Sequence, residues 1–177
     1  TNSSSFIKVY TPSGGITATN VFCGSSHTAI ILSDGSLWTT GYNNYGQLGN
    51  GNTTNSSSFI KVYTPSGGIT VTSVSCASFH TAMILSDGSL WATGNNGSGQ
   101  LGRGNTTNSS SFVKVYTPSG GITVTSVSGG SSHTAMILSD GSLWTTGYNY
   151  YGQLGRGNTT NSSSFIKVYT PSGGITA

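Results

Sequence analysis

Ser25, Ser26 and His27 stand side by side, and serine next to histidine is the pairing from which a nucleophile and its general base are built. That chemistry needs the base within reach of the hydroxyl and a third group, commonly a carboxylate, to orient it. Adjacent side chains on a strand point to opposite faces, which separates Ser26 from His27. The chain has no Glu, and its only acids are Asp34, Asp87 and Asp140, each followed by Gly in a turn signal. No orienting acid remains, and no pair of carboxylates is available for acid–base hydrolysis. His27, His80 and His133 each precede a Thr. A zinc site needs three or four ligands, and none accompany these histidines locally. They read as structural hydrogen-bonding groups at strand starts, with a ring of His about an axis as the alternative. Cys23 and Cys76 read as two small buried thiols, or as a bridge if their Cα atoms come within about 7 Å. No catalytic residue, cofactor-binding residue or metal site is therefore assigned.

The elements that carry these residues are repeated. Thr-Asn-Ser-Ser-Ser-Phe begins at Thr1, Thr54, Thr107 and Thr160, a spacing of 53. The units are 1–53, 54–106 and 107–159, with a partial fourth unit at 160–177 that copies residues 1–18 letter for letter. Units two and three differ at eight positions, most of them in two short windows, 76–79 against 129–132 and 95–98 against 148–151. Drift without constraint would scatter such differences. The exact terminal copy predicts a strand built to continue or close the array.

Each unit reads as four strands. The first covers residues 6–10 and stops at Pro12 and Gly14. The second covers 16–22, with alternation at Ile16, Ala18 and Asn20. The third covers 28–32. Asp34-Gly35 then signals a type I′ hairpin, in which both central residues take positive φ, and 36–40 is the fourth strand. Residues 41–51 form a loop rich in Gly and Asn. No helical periodicity is present, and short strands at even spacing indicate an all-β propeller, barrel or solenoid.

Composition limits the partners. Charged residues are 5% of the chain and the net charge is +3, with Lys8, Lys61, Lys114, Lys167, Arg103 and Arg156 spread along the units. A nucleic-acid surface wants a basic stripe, and isolated charges do not make one. No apolar run reaches the ~20 residues that span a bilayer. The chain starts without Met, which reads as a processed protein or an excerpt of a longer one. A surface of Thr, Ser, Asn and Gly suggests an extracellular or cell-surface location. Eight Asn-x-Ser/Thr sequons, at Asn2, Asn52, Asn55, Asn96, Asn105, Asn108, Asn158 and Asn161, are possible N-glycosylation sites on a secretory route.

The segment from Cys23 through His27, Asp34 and Gly35 to Trp38 resembles the core of the RCC1 repeat, and Gly41-Tyr42-Asn43-Asn44-Tyr45-Gly46-Gln47-Leu48-Gly49 resembles its most distinctive stretch. Gln100-Leu101-Gly102 and Gln153-Leu154-Gly155 repeat it. One departure is that the family often has Trp just before the loop glycine. Here Thr40, Thr93 and Thr146 hold that place, and Trp38, Trp91 and Trp144 sit two residues earlier on the same strand face. The resemblance implies four-stranded antiparallel blades arranged radially, about three and a third of them, as part of a larger ring or open array. It also implies tolerance of Cys at positions 23 and 76, while the three Trp rings read as core residues where blades stack. RCC1-like propellers serve as exchange factors, chromatin binders, light sensors and enzyme inhibitors, so the fold alone does not decide function.

Two non-enzymatic readings follow. In the first, the chain is a structural repeat protein that assembles with itself, head to tail, into a fibre or ring. In the second, it is a binding module that grips a partner protein with the loop aromatics Tyr42, Tyr45, Tyr148, Tyr150 and Tyr151, which vary between units.

Overall fold

The computed structural model describes Ser5, Lys8 and residues 14–170. The described residues form three four-stranded antiparallel sheets and no helix. The first sheet contains β1 (Ala18–Cys23), β2 (His27–Leu32), β3 (Leu37–Gly41) and β4 (Ser56–Tyr63), in that order from edge to edge. The second contains β5 (Val71–Cys76), β6 (His80–Leu85), β7 (Leu90–Gly94) and β8 (Ser109–Tyr116). The third contains β9 (Val124–Gly129), β10 (His133–Leu138), β11 (Leu143–Gly147) and β12 (Ser162–Tyr169). Strand β1 meets β5, and β5 meets β9, so the first strands of the blades converge on one side.

The blades are out of phase with the sequence repeat. Each blade takes three strands from one 53-residue unit and its outer strand from the next. The strand expected at 6–10 lies mostly outside the described residues, but its copies β4, β8 and β12 each close the preceding blade. Residues 162–169 are therefore not a lone terminal strand: Trp144 pairs with Lys167 and Thr145 with Ile166.

The hairpin at Asp34-Gly35 forms, but it is not type I′. Gly35 has φ 76°, and among the described residues none other than glycine takes positive φ. Leu32 N–H donates to Ser36 O at 3.1 Å and Gly35 N–H to Leu32 O at 2.8 Å, so Ser33, Asp34 and Gly35 make a three-residue loop ending in a left-handed glycine. The aspartate explains the choice. Its Oδ1 accepts from Ser36 N–H at 2.9 Å and from Ser36 Oγ at 2.6 Å, while Trp38 Nε1 donates to that Oγ at 3.1 Å. The other two blades repeat this chain of bonds. Glycine is required here for a second reason: a Cβ on Gly35 would lie 2.4 Å from Thr70 Cγ2 of the next blade.

The core lies between blades rather than within one. Ala29, Ile31 and Leu37 of the first blade pack on Val71, Val74 and Met83 of the second. Ala82, Ile84 and Leu90 of the second pack on Val124, Met136 and Leu138 of the third. Every residue of β6 is buried because its blade has neighbours on both faces, whereas β10 alternates. Equivalent residues report which faces are covered: Val21 is 65% exposed where Val74 is 4%, and Ile137 is 38% exposed where Ile84 is 4%.

The three Trp rings are half-buried, not enclosed as expected, because each sits on the outer half of its blade with its N–H turned to the hairpin serine. Lys61 Nζ lies 5.8 Å from the Trp38 ring centre and Lys114 Nζ 5.3 Å from that of Trp91. Trp91 and Trp144 nevertheless flank the two inter-blade cores. Trp91→Ala and Trp144→Ala should each cost about 2 kcal/mol, below the ~3–5 kcal/mol of a fully buried ring, and Trp38→Ala should cost less than either. Urea titration of dilute protein checks the order, and a cost at Trp38 equal to that at Trp91 would contradict it.

Candidate functional site

Between β3 and β4 the chain runs through residues 42–55 without forming a strand, and one side chain holds that loop. Asn43 is fully buried. Its Nδ2 donates to Asn52 O and Thr54 O, both at 3.0 Å, and its Oδ1 accepts from Leu48 N–H at 2.9 Å. Its backbone N–H donates to Asn55 Oδ1 at 2.7 Å. Asn96 and Asn149 do the same in the other blades. Asn43 and Asn149 were not singled out in the sequence, and Asn96 only as a sequon, although all three stay constant while their flanks change.

The tip of the loop docks on the next blade. A Cβ on Gly46 would lie 2.4 Å from Ser110 Cα, and one on Gly49 would lie 2.4 Å from the Phe112 ring, so only glycine allows this approach. Thr93 Oγ1 lies 2.8 Å from Gly46 O, and Thr81 Oγ1 donates to Gln47 O at 2.7 Å. His27 Nε2 lies 2.8 Å from the same Thr81 Oγ1. Since Thr81 spends its only proton on Gln47, it must accept from His27, which fixes the Nε2–H tautomer. His80, Thr134 and Gln100 repeat the arrangement at 2.8 and 2.7 Å. His27 and His80 thus each bond a threonine of the next blade, across blades rather than within a strand.

Burial dictates their charge. It pushes His27 down from 6.5 to about 4 and His80 down to about 3, with His27 and His133 adding to the effect at His80. His133 is also lowered by burial. The Nδ1 atoms of His27 and His80 are buried without a partner, as befits neutral rings. Hydrogen bonds from Ser36 and Ser142 hold Asp34 and Asp140 below the usual carboxylate value. At Asp87 burial pulls upward, and the Ser89 bonds together with the Lys114 charge outweigh it. Ser25 Oγ bonds Ser78 Oγ at 3.1 Å instead of a base. Among the described residues no three His, Cys, Asp or Glu side chains gather in a way that could hold a metal ion.

Above the lock lies an aromatic surface. Tyr42, Tyr45 and Phe79 form one cluster, with ring centres 6.3, 6.3 and 5.2 Å apart. Tyr148, Tyr150 and Tyr151 form another, at 6.4, 6.4 and 5.0 Å. Tyr150 and Tyr151 are 65% and 82% exposed. Within each cluster the rings pack edge-on, tilted or stacked against one another, at distances usual for aromatic pairs. Both clusters sit at the same end of their blades: Tyr42 N–H donates to Ser26 O, Asn95 N–H to Phe79 O and Tyr148 N–H to Ser132 O, all at 2.8 Å. These three bonds join the two windows in which the repeats differ, so the variable residues form one face. Phe79 was missed because a single aromatic before a strand carries no signal of its own.

Cys23 is exposed because it ends the inner strand of the first blade, which has one open side, and Cys76 at the end of β5 is half-buried; both are free thiols. Burial pushes the Cys76 thiol up to about 12. Asn96 is no glycosylation site in the folded chain: it is fully buried and its Nδ2 holds the loop. Asn52, Asn55, Asn105, Asn108, Asn158 and Asn161 are exposed, and Asn2 lies outside the described residues.

A sequence profile described as the Regulator of chromosome condensation (RCC1) repeat matches residues 34–84, 87–137 and 140–172, and a second of the same description matches 18–47, 71–100 and 124–153. The chain belongs to the RCC1 repeat family. The Ultraviolet-B receptor UVR8 of Arabidopsis thaliana is 34% identical over 157 residues, 89% of this chain and 35% of the receptor. The human X-linked retinitis pigmentosa GTPase regulator is 33% identical over 141 residues, 78% of this chain and 14% of that protein. The chain thus spans only a minor part of these relatives. Human WBSCR16 superposes with TM-score 0.74 at 24% identity, over 85% of this chain and 37% of that one. Prp20p from Saccharomyces cerevisiae gives 0.76 at 16%, over 86% and 38%. These likenesses show the shared RCC1 propeller fold.

The RCC1 lock carries a pH dependence. His27 and His80 have folded pKa values below 6.5, so between those values the unfolded chain binds more protons. Stability is fully present above pH 6.5 and falls as pH drops toward 4, by about 1.4 kcal/mol per pH unit for each buried histidine. The three aspartates lose their contribution only below the usual carboxylate range. Urea midpoints from pH 8 to 4.5 should be flat above 7 and fall below 6.5; a profile level down to 4.5 would show that the rings are not buried neutral.

Proposed function

We propose that this chain is a non-enzymatic, protein-binding stretch of an RCC1-type propeller that grips a partner protein with the aromatic loop face. The observation that carries the reading is the meeting of the two variable windows on one face, above a lock that stays constant. Exposed tyrosines supply large contact areas at low entropic cost, and they are favoured where one protein anchors another. The surface around them is poor in charge, so apolar contact outweighs electrostatic steering. The non-enzymatic reading is supported by what the polar groups already do: the aspartates bind hairpin serines, and the histidines are neutral donors inside the lock. Relatives fit this class, since Prp20p binds Gsp1p and histones and yeast RCC1 has been seen bound to Kap60.

A second reading is that the chain associates with further copies of itself, head to tail, into a ring or fibre, outside the cell or on its surface. The open face marked by the 65% exposure of Val21 favours it.

The first reading is tested with immobilised protein and extracts of its source, with retained proteins counted by mass spectrometry. Tyr45→Ser/Phe79→Ser and Tyr150→Ser/Tyr151→Ser variants should melt like the parent and lose at least one partner that the parent retains. Identical retention by all three would overturn the reading.

A further inference from the structure

The second reading can be given a specific interface. We propose that the first and third blades carry the two halves of one more inter-blade lock, and that a second copy of this chain completes it. The donor half is the loop tip Gly152-Gln153-Leu154-Gly155 with His133. The acceptor half is the slot between Thr28, Thr40, Ser57, Ser58 and Phe59.

The argument rests on the two locks already inside the chain. In each, a loop tip enters a slot formed by two threonines and a Ser-Ser-Phe segment of the next outer strand. The occupied slots are Thr81, Thr93, Ser110, Ser111 and Phe112, then Thr134, Thr146, Ser163, Ser164 and Phe165. The slot on the first blade has the same five residue types in the same places. It is an open groove of about 460 Å³, and Thr28 is half-buried where Thr81 is fully buried.

The donor is equally conserved in form. Residues 152–157 repeat residues 99–104 letter for letter. A Cβ on Gly99 or Gly102 would lie 2.4 Å from Ser163 Cα or the Phe165 ring, whereas one on Gly152, Gly155 or Gly157 would meet nothing within 4 Å. These glycines keep their left-handed φ of 77°, 69° and 77°, so the tip holds its docking shape without a neighbour.

The surroundings match as well. Ile137, 38% exposed, and Val21, 65% exposed, occupy the positions that Ile84 and Val127, or Ile31 and Val74, hold at the two internal interfaces. Docking therefore buries apolar surface that each copy leaves in water, besides forming the bonds from His133 to Thr28 and from Thr28 to Gln153 O. A donor on one side and an acceptor on the other is a heterologous contact, which closes into a ring or continues as a filament.

The inference rests on self-association, and its test separates the two. Sedimentation of the 177-residue chain over micromolar concentrations should show species heavier than the 18.1 kDa monomer. Ser57→Tyr fills the slot on an exposed strand position, and Gly152→Ala puts a methyl on the tip where it would meet the Ser57 backbone. Each variant should melt as a folded protein and associate at least tenfold more weakly. Mixed together they should recover a heterodimer, because one intact donor and one intact acceptor remain. A parent that stays monomeric would overturn both the self-association reading and this interface. Association of the parent that neither variant weakens, or a mixture that recovers nothing, would overturn the interface and leave self-association standing.

Discussion

A threonine hydroxyl has one proton to give, and the way Thr81 and Thr134 spend theirs governs how neighbouring blades hold together. Thr81 gives its proton to Gln47 O of the preceding blade at 2.7 Å, so the oxygen is left to accept, and His27 supplies the donor at 2.8 Å. That sequence settles the tautomer of the histidine, leaves its Nδ1 bare and keeps the ring neutral. It also requires Gln47 O to stand in one place, which the loop achieves only because Asn43 gathers strands of backbone from 48, 52 and 54 around one amide. Loop shape, ring charge and blade spacing are thus consequences of one another. Losing any of them leaves buried polar groups unpaired, at about 1–3 kcal/mol each.

The same logic explains how a chain with 5% charged residues stays ordered. Its polar groups are not spent on solvation but on backbone. Asparagine pairs the loop, threonine pairs carbonyls across blades, and serine joins the Asp and Trp of each hairpin. The apolar contribution comes almost wholly from contact between blades, since a single four-stranded sheet of this size has little to bury on its own. A blade therefore depends on its neighbours twice, for its core and for its hydrogen bonds.

Much of this was legible in the residues. Period-2 alternation placed the strands, Asp-Gly marked the hairpins, and the 53-residue spacing made the array plain. The phase of the blades was not legible, because a repeat can be cut anywhere along its length, and only pairing shows that residues 56–63 belong with the strands before them. The hairpin type was missed because Asp-Gly also ends three-residue loops, where the aspartate binds the following serine and only glycine turns left-handed. Trp38, Trp91 and Trp144 were expected inside because they are large and apolar, yet their N–H groups have partners at the blade rim. Asn96 satisfies the sequon pattern but is the loop's internal bracket. The histidine lock was anticipated only as some structural bond, since its partners lie 54 and 34 residues apart and no local pattern joins them.

The aromatic face shows where the repeats depart from what stability alone would choose. In the second blade Asn95 accepts from Gln100 Nε2 at 2.6 Å, which satisfies that side chain. In the first blade the equivalent position is Tyr42, which offers no such acceptor, and Gln47 Nε2 is buried without a partner. An unpaired buried amide proton costs about 1–3 kcal/mol, and a half-buried tyrosine ring offers the amide no acceptor in its place. Simple repetition of the second blade would have avoided the cost. A partner that covers Tyr42, Tyr45 and Phe79 would offset it by burying their apolar area, at roughly 25 cal/mol per Å². The loop of the second blade is then the better satisfied of the two, because the Gln100 amide has a partner and the Gln47 amide has none.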